Sequence, residues 1–184
     1  YLVAGLAYAV VWFLLPVAAF AFFILLTWFH WGEGELYPLL DIVGAEYLRS
    51  PGQQALAVIV RGGAPMLVPL IAFPEQYRFV AGSLIGLFDP AAAAALEPVF
   101  GTGPRLGVAA LYGSAVVAAV ALGYVRTERF EPWAVDAGEM VLLTAFFLVV
   151  PPILAIGVYF CFWHSLRHVV RTALLHDASA DHID

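Results

Sequence analysis

Long apolar runs separated by short polar stretches organise the chain. The first run covers 2–29 and is apolar apart from Tyr8 and Thr27. That exceeds the ~20 residues a helix needs to cross a ~30 Å hydrocarbon core. Pro16 in its middle predicts a kink, and Trp28 and Trp31 at its end read as an interfacial aromatic belt. The stretch 32–53 is mixed and acidic. Its strings Pro38-Leu39-Leu40-Asp41 and Gly44-Ala45-Glu46-Tyr47-Leu48 suit a short amphipathic surface helix, which Ser50-Pro51-Gly52 ends.

The second run, 54–73, contains Arg61, Gly62, Gly63, Pro65 and Pro69, so a regular helix throughout is not expected. A broken helix at membrane depth usually lines a cavity. After Phe73-Pro74-Glu75, a shorter apolar run spans 77–88, and the Ala-rich 91–97 reads as a short helix closed by Pro98. A clean span follows at 105–125, rich in the small residues that favour close helix packing. The loop 126–136 carries Arg126, Glu128, Arg129, Glu131 and Asp136. A last span is expected from 137 past His164, with Pro151-Pro152 as a break, continuing as a polar helix to Leu175. The expected fold is all-α, a multi-pass transmembrane helical bundle with broken helices. Residues 1–175 form its single domain and 176–184 a disordered polar tail. The chain opens on Tyr1 directly in an apolar segment, with no basic n-region and no small-residue cleavage site, so upstream helices are expected to precede it.

Composition confirms the class. The chain is 63% hydrophobic and only 12% charged, against roughly 25% charged in ordinary soluble domains. Its net charge of -6 argues against nucleic acid as a partner and leaves the lipid bilayer as the expected surroundings. All eight bases are arginines, so a retinal Schiff base, an aldolase-type imine or a pyridoxal site cannot form. Cys161 stands alone, which rules out an internal disulfide and suits a small packed hydrophobe.

Histidines supply the candidate chemistry. Three of the five stand at the ends of apolar runs: His30, and the pair His164 and His168. The i, i+4 spacing of that pair puts both imidazoles on one helix face, as a metal site needs. Each has a plainer alternative. His30 between two tryptophans suits an interfacial amphipathic residue, and the pair beside Arg167 and Arg171 suits a basic flank facing lipid headgroups. A shared metal also constrains topology. If only 54–73 and 105–125 crossed between His30 and the loop 126–136, His30 and His164 would lie on opposite sides. The metal reading therefore predicts that 77–88 crosses, or nearly crosses. Candidates to orient the imidazoles are Glu33, Glu139 and Ser165, since ligating histidines usually donate their second N–H. Glu139 equally suits a solvated acid near a helix N-terminus.

The strings Phe29-His30-Trp31-Gly32-Glu33, Arg61-Gly62-Gly63-Ala64-Pro65, Glu139 followed by Pro151-Pro152, and Tyr159-Phe160-Cys161-Phe162-Trp163-His164-Ser165-Leu166-Arg167-His168 together resemble the Brp/Blh family. These are bacterio-opsin-related β-carotene 15,15′-dioxygenases. The resemblance implies a multi-pass cell-membrane enzyme that holds Fe(2+) through four histidines and cleaves β-carotene centrally with O2, giving retinal for a rhodopsin. By motif, His30, His164 and His168 are three of the ligands. The family's other ligand sits in an upstream Pro-His-Gly-type motif that this chain lacks, so this stretch alone is expected to be poorly active. Phe29, Trp31, Tyr159, Phe160, Phe162 and Trp163 are the substrate-channel candidates, since a rigid apolar polyene needs aromatic and aliphatic walls. The rival readings are a di-iron desaturase-like oxidase, a bis-His haem protein and a transporter. The first uses about eight histidines as a family, and the last would show an internal repeat or paired intramembrane charges.

Overall fold

A computed structural model describes residues 2–180, with side chains as far as Ala173. The fold is all-α, with no strand among the described residues. Among the described residues, five segments are long and apolar enough to cross a membrane: Pro16–Ile42, Pro51–Ala72, Thr102–Arg126, Phe130–Val149 and Pro152–Ala173. Their outward faces expose large apolar side chains such as Leu111, Val117 and Val149, the pattern of a multi-pass bundle whose outer solvent is hydrocarbon.

The first run is not one kinked helix. It divides into α1 (Leu2–Leu14) and α2 (Pro16–Tyr37). The Tyr8 hydroxyl donates to the Ala19 carbonyl at 2.9 Å, and its ring lies 5.6 Å from that of Phe22. A straight helix would hold residues 8 and 22 about 21 Å apart, so the chain folds back sharply. Pro16 is the cause, because it disfavours helical geometry at the residue before it, and Leu15 takes φ −144° and ψ 64°. Helix α2 then continues past His30 into the stretch expected to lie on the surface. Trp31, Glu35 and Leu39 fall there at helical spacing and are all buried. A π-turn, Pro38–Ile42, and a 3-10 turn, Glu46–Arg49, replace the expected amphipathic helix.

Helix α3 (Pro51–Ala72) runs unbroken through Pro65 and Pro69, contrary to the expectation of a broken segment. Both prolines are buried inside the bundle, where an interruption of the backbone ladder is tolerated away from lipid. Trp28 Nε1 donates to the Ile59 carbonyl at 2.9 Å, and the Tyr112 hydroxyl to that of Val60 at 3.2 Å. The glycines act at the α2–α3 crossing. A Cβ on Gly62 would collide with the Trp28 carbonyl oxygen, and one on Gly32 with that of Val58, so the two backbones touch where only glycine fits.

Residues 74–100 form a re-entrant excursion. Helix α4 (Pro74–Gly86) is 13 residues long, ~20 Å and short of a full crossing. After α5 (Pro90–Ala94) and a 3-10 turn at Glu97–Phe100, the chain is back where it left. Arg78 pairs with Glu75 at 2.7 Å and with Glu97 at 3.2 Å, and Arg105 donates to the Ile71 carbonyl at 2.6 Å. The expected crossing by 77–88 is therefore absent.

The missing crossing lies further along the chain. Helix α6 (Thr102–Arg126) is followed by α7 (Phe130–Val149), which starts inside the expected loop. Pro151-Pro152 then reverses the chain rather than interrupting a single span. The last limb comprises α8 (Pro152–Val158), a π-turn at Tyr159–His164 and α9 (Ser165–Ala180). Phe147 meets Tyr159 at 5.5 Å and Glu139 meets Arg167, so α7 and this limb run antiparallel. Cys161 is exposed on the π-turn rather than packed. The first residues of the expected tail continue α9 as helix, and 181–184 lie outside the described residues.

This topology brings the three histidines to one side and moves the arginines. Arg49, Arg126, Arg129, Arg167 and Arg171 lie on the histidine-bearing half, with Arg78 and Arg105 on the other. Cysteine labels at Glu33 and Glu128 should report the same membrane side and a label at Glu75 the opposite one. A label at Glu128 that sides with Glu75 would contradict the α7 crossing.

Candidate metal centre

His30 projects from the middle of the α2 span, and His164 and His168 flank the junction of the π-turn with α9. In an ordinary α-helix, residues i and i+5 do not share a face. A π-turn closes over five residues, so Tyr159 and His164 both point inward and are both buried. The Ser165 hydroxyl reinforces the wide turn by donating to the Phe160 carbonyl at 2.7 Å.

One ligand nitrogen from each of the three histidines lies within 4.8 Å of the others. The Nε2 atoms of His164 and His168 are 3.1 Å apart, a separation that fits either an imidazole hydrogen bond or two donors sharing one ion. His30 stacks on His168 at 5.8 Å and meets His164 edge-on at 5.5 Å. Room for these rings comes from Gly34, one turn beyond His30. A Cβ there would sit 3.1 Å from His164 Cε1 and 3.6 Å from His168 Nε2. Three nitrogen donors around a space that a methyl group would fill suit Fe, Zn or Cu. His164 is buried, His168 half-buried and His30 exposed.

None of the expected orienting residues hydrogen-bonds an imidazole among the described residues. Glu33 is exposed, Ser165 is engaged by Phe160, and Glu139 belongs to an ion cluster. The centre of that cluster is Arg61, fully buried. Its Nη2 donates to Asp136 Oδ1 at 2.5 Å, and its Nη1 to Glu35 at 3.2 Å and Glu139 at 3.0 Å. Arg167, beside His168 in sequence, pairs with Glu35 at 3.0 Å and with Glu139 at 2.5 Å. Trp163 Nε1 and the Tyr159 hydroxyl complete the Glu35 carboxylate at 3.1 Å and 3.3 Å. At the outer edge, the Tyr47 hydroxyl donates to Asp136 at 2.6 Å. Burial, then the Asp136 charge, raises the Tyr47 pKa, so it remains a donor there.

Sequence reasoning missed Glu35, Asp136 and Gly34. The signals were present as spacing. Trp31, Glu35 and Leu39 share one face of α2, and Asp136, Glu139, Met140 and Leu143 share one face of α7.

Beneath the histidines lies an apolar cleft of about 320 Å³ between α2, α3, α4 and α8, lined by Phe23, Thr27, Trp31, Met66, Tyr77 and Ile156 among others. Trp31 forms its end and lies 5.8 Å from the His164 ring. Of the expected channel residues only Trp31 lines this cleft. Tyr159, Phe162 and Trp163 line a separate groove of about 180 Å³ against α7, while Phe29 and Phe160 are exposed.

Comparison with known proteins gives consistent matches. A family model described as beta-carotene 15,15′-dioxygenase matches residues 1–183. A Halobacterium salinarum protein named probable beta-carotene 15,15′-dioxygenase Blh is 47% identical over 171 residues, 93% of this chain and 49% of that protein. Another from the same species, named probable beta-carotene 15,15′-dioxygenase Brp, is 34% identical over 184 residues, 100% of this chain and 51% of its own length. The chain thus spans about half the length of the curated relatives it matches. No solved structure matches it.

Two outcomes follow from this geometry. Gly34→Leu should abolish divalent-metal uptake, measured by elemental analysis, while leaving the helical circular-dichroism signal intact. Arg61→Leu leaves Asp136 without a cation and two further carboxylates sharing Arg167 alone, and should cost about 3–5 kcal/mol of stability, read by thermal denaturation in detergent micelles.

Proposed function

The chain belongs to the beta-carotene 15,15′-dioxygenase family, and on that premise we propose that it carries the metal-binding part of a membrane-embedded dioxygenase. The reaction is cleavage of the central 15,15′ double bond of β-carotene by O2. Both bonds between the two central carbons break, each carbon takes one oxygen atom, and two retinal molecules result. The observation that supports this most is the convergence of His30, His164 and His168, from helices far apart in sequence, within 4.8 Å.

In this reading the three histidines hold a ferrous ion as neutral nitrogen donors. Iron bound there supplies activation of O2, which a closed-shell polyene cannot achieve unaided. The surrounding residues have three tasks. Gly34 leaves the imidazoles room to converge. Trp31 separates the histidines from the cleft below and gives a polyene a flat surface beside them. The cleft, walled by Phe23, Met66 and Ile156, takes one half of the substrate and keeps water away from it. Central cleavage requires no net proton transfer. That agrees with the surroundings, where Glu35, Asp136 and Glu139 are all committed to arginines. The arginine distribution favours a cell-membrane orientation with the histidines in the cytoplasmic half. The product would be available to a rhodopsin, and this stretch has no lysine of its own to hold retinal as an imine.

The full-length protein expressed in a β-carotene-producing bacterium should bleach the orange colour and yield retinal by chromatography. His164→Ala or His168→Ala should abolish retinal and lower bound iron at unchanged protein level. Wild-type iron and activity in these variants would overturn the ligand assignment.

A further inference from the structure

The ion cluster beside the histidines holds one more carboxylate than guanidinium. Glu35, Asp136 and Glu139 face Arg61 and Arg167, and the Arg61 and Glu35 side chains are wholly inaccessible. An unbalanced charge in such a place is costly unless another charge answers it. The histidines are the place where a positive charge would be answered. Glu35 follows Gly34, whose Cβ position touches the His164 and His168 rings. Arg167 lies between His164 and His168 on α9, and Trp163, next to His164, donates to Glu35. A divalent cation held by three neutral imidazoles keeps its full charge, and the low polarity around it makes that expensive.

We propose that the Glu35–Arg61–Asp136–Glu139–Arg167 cluster is the counter-charge of the metal centre, its surplus carboxylate lowering the cost of holding a dication on three neutral imidazoles inside an apolar bundle. This rests on the metal reading of His30, His164 and His168. It adds a role that acts through charge rather than contact, since the cluster's carboxylates are occupied by arginines.

Charge sign provides the test. The purified full-length protein is titrated with Co(2+), and binding is followed by the visible absorption of the metal. Glu35→Gln and Glu139→Gln keep the side-chain shape and remove a negative charge, so each should weaken Co(2+) binding about tenfold or more. Arg167→Gln removes a positive charge and should tighten it. A purely structural cluster would respond differently, with all three variants weakening binding alike, and that result would overturn the proposal, as would unchanged affinity throughout. Glu139 is partly accessible, so its variant decides the matter if Glu35→Gln does not fold. Wild-type protein that takes up no Co(2+) would instead overturn the metal reading, and the proposal with it.

Discussion

Arginine cannot escape burial by losing its proton, so Arg61 in the middle of α3 obliges the surrounding helices to supply negative charge. Two helices do so. Glu35 comes from α2, Asp136 and Glu139 from α7, and Arg167 on α9 closes the set through the carboxylates it shares with Arg61. Each helix is thereby fixed in rotation as well as position. The apolar core of Trp31, Met66, Tyr112, Leu143, Phe147 and Tyr159 could tolerate small slips, because hydrophobic contact is not directional. The guanidinium cannot, and the histidines one turn away are held in place by the same bonds.

The Arg61-Gly62-Gly63-Ala64-Pro65 string acquires a physical meaning from this arrangement. Arg61 gathers the charges, and Gly62 admits the α2 backbone at the crossing with Trp28. The prolines that follow are tolerated because they are buried inside the bundle, away from lipid. Close approach brings His30 within reach of the last limb. A larger residue at Gly62 would push α2 outward, and the charge cluster and the histidines would separate together.

Much of this was legible in the chain. Apolar runs gave the all-α multi-pass class, and the histidines at the ends of those runs are the three that the fold brings together. Topology was harder to read. Pro151-Pro152 looked like a break in one span because both flanks are apolar, and hydropathy carries no information about direction. The reversal shows only in tertiary contacts such as Phe147 with Tyr159. The acids were misjudged for a related reason. Glu35 sits among Trp31, Gly34 and Leu36, in a stretch whose average polarity suggested a surface, and only its helical register with Trp31 and Leu39 marks it as buried. No local pattern announced the π-turn, because its widened geometry follows from what α7 and α2 each require of the last limb.

That last limb meets two demands that differ in phase. Its inner half turns Ala155 and Tyr159 into the apolar core, and its outer half turns His164 and His168 towards His30 of α2. A uniform helix advances about 100° per residue and would align one set only by turning the other away. The five-residue turn at Tyr159–His164 absorbs the difference, as a vernier takes up the mismatch between two scales. Length is therefore a conserved quantity in this stretch in the mechanical sense. Any gain or loss of a single residue between Tyr159 and His164 would swing everything beyond it by more than a quarter turn, pointing the histidines into lipid however faithfully each was retained.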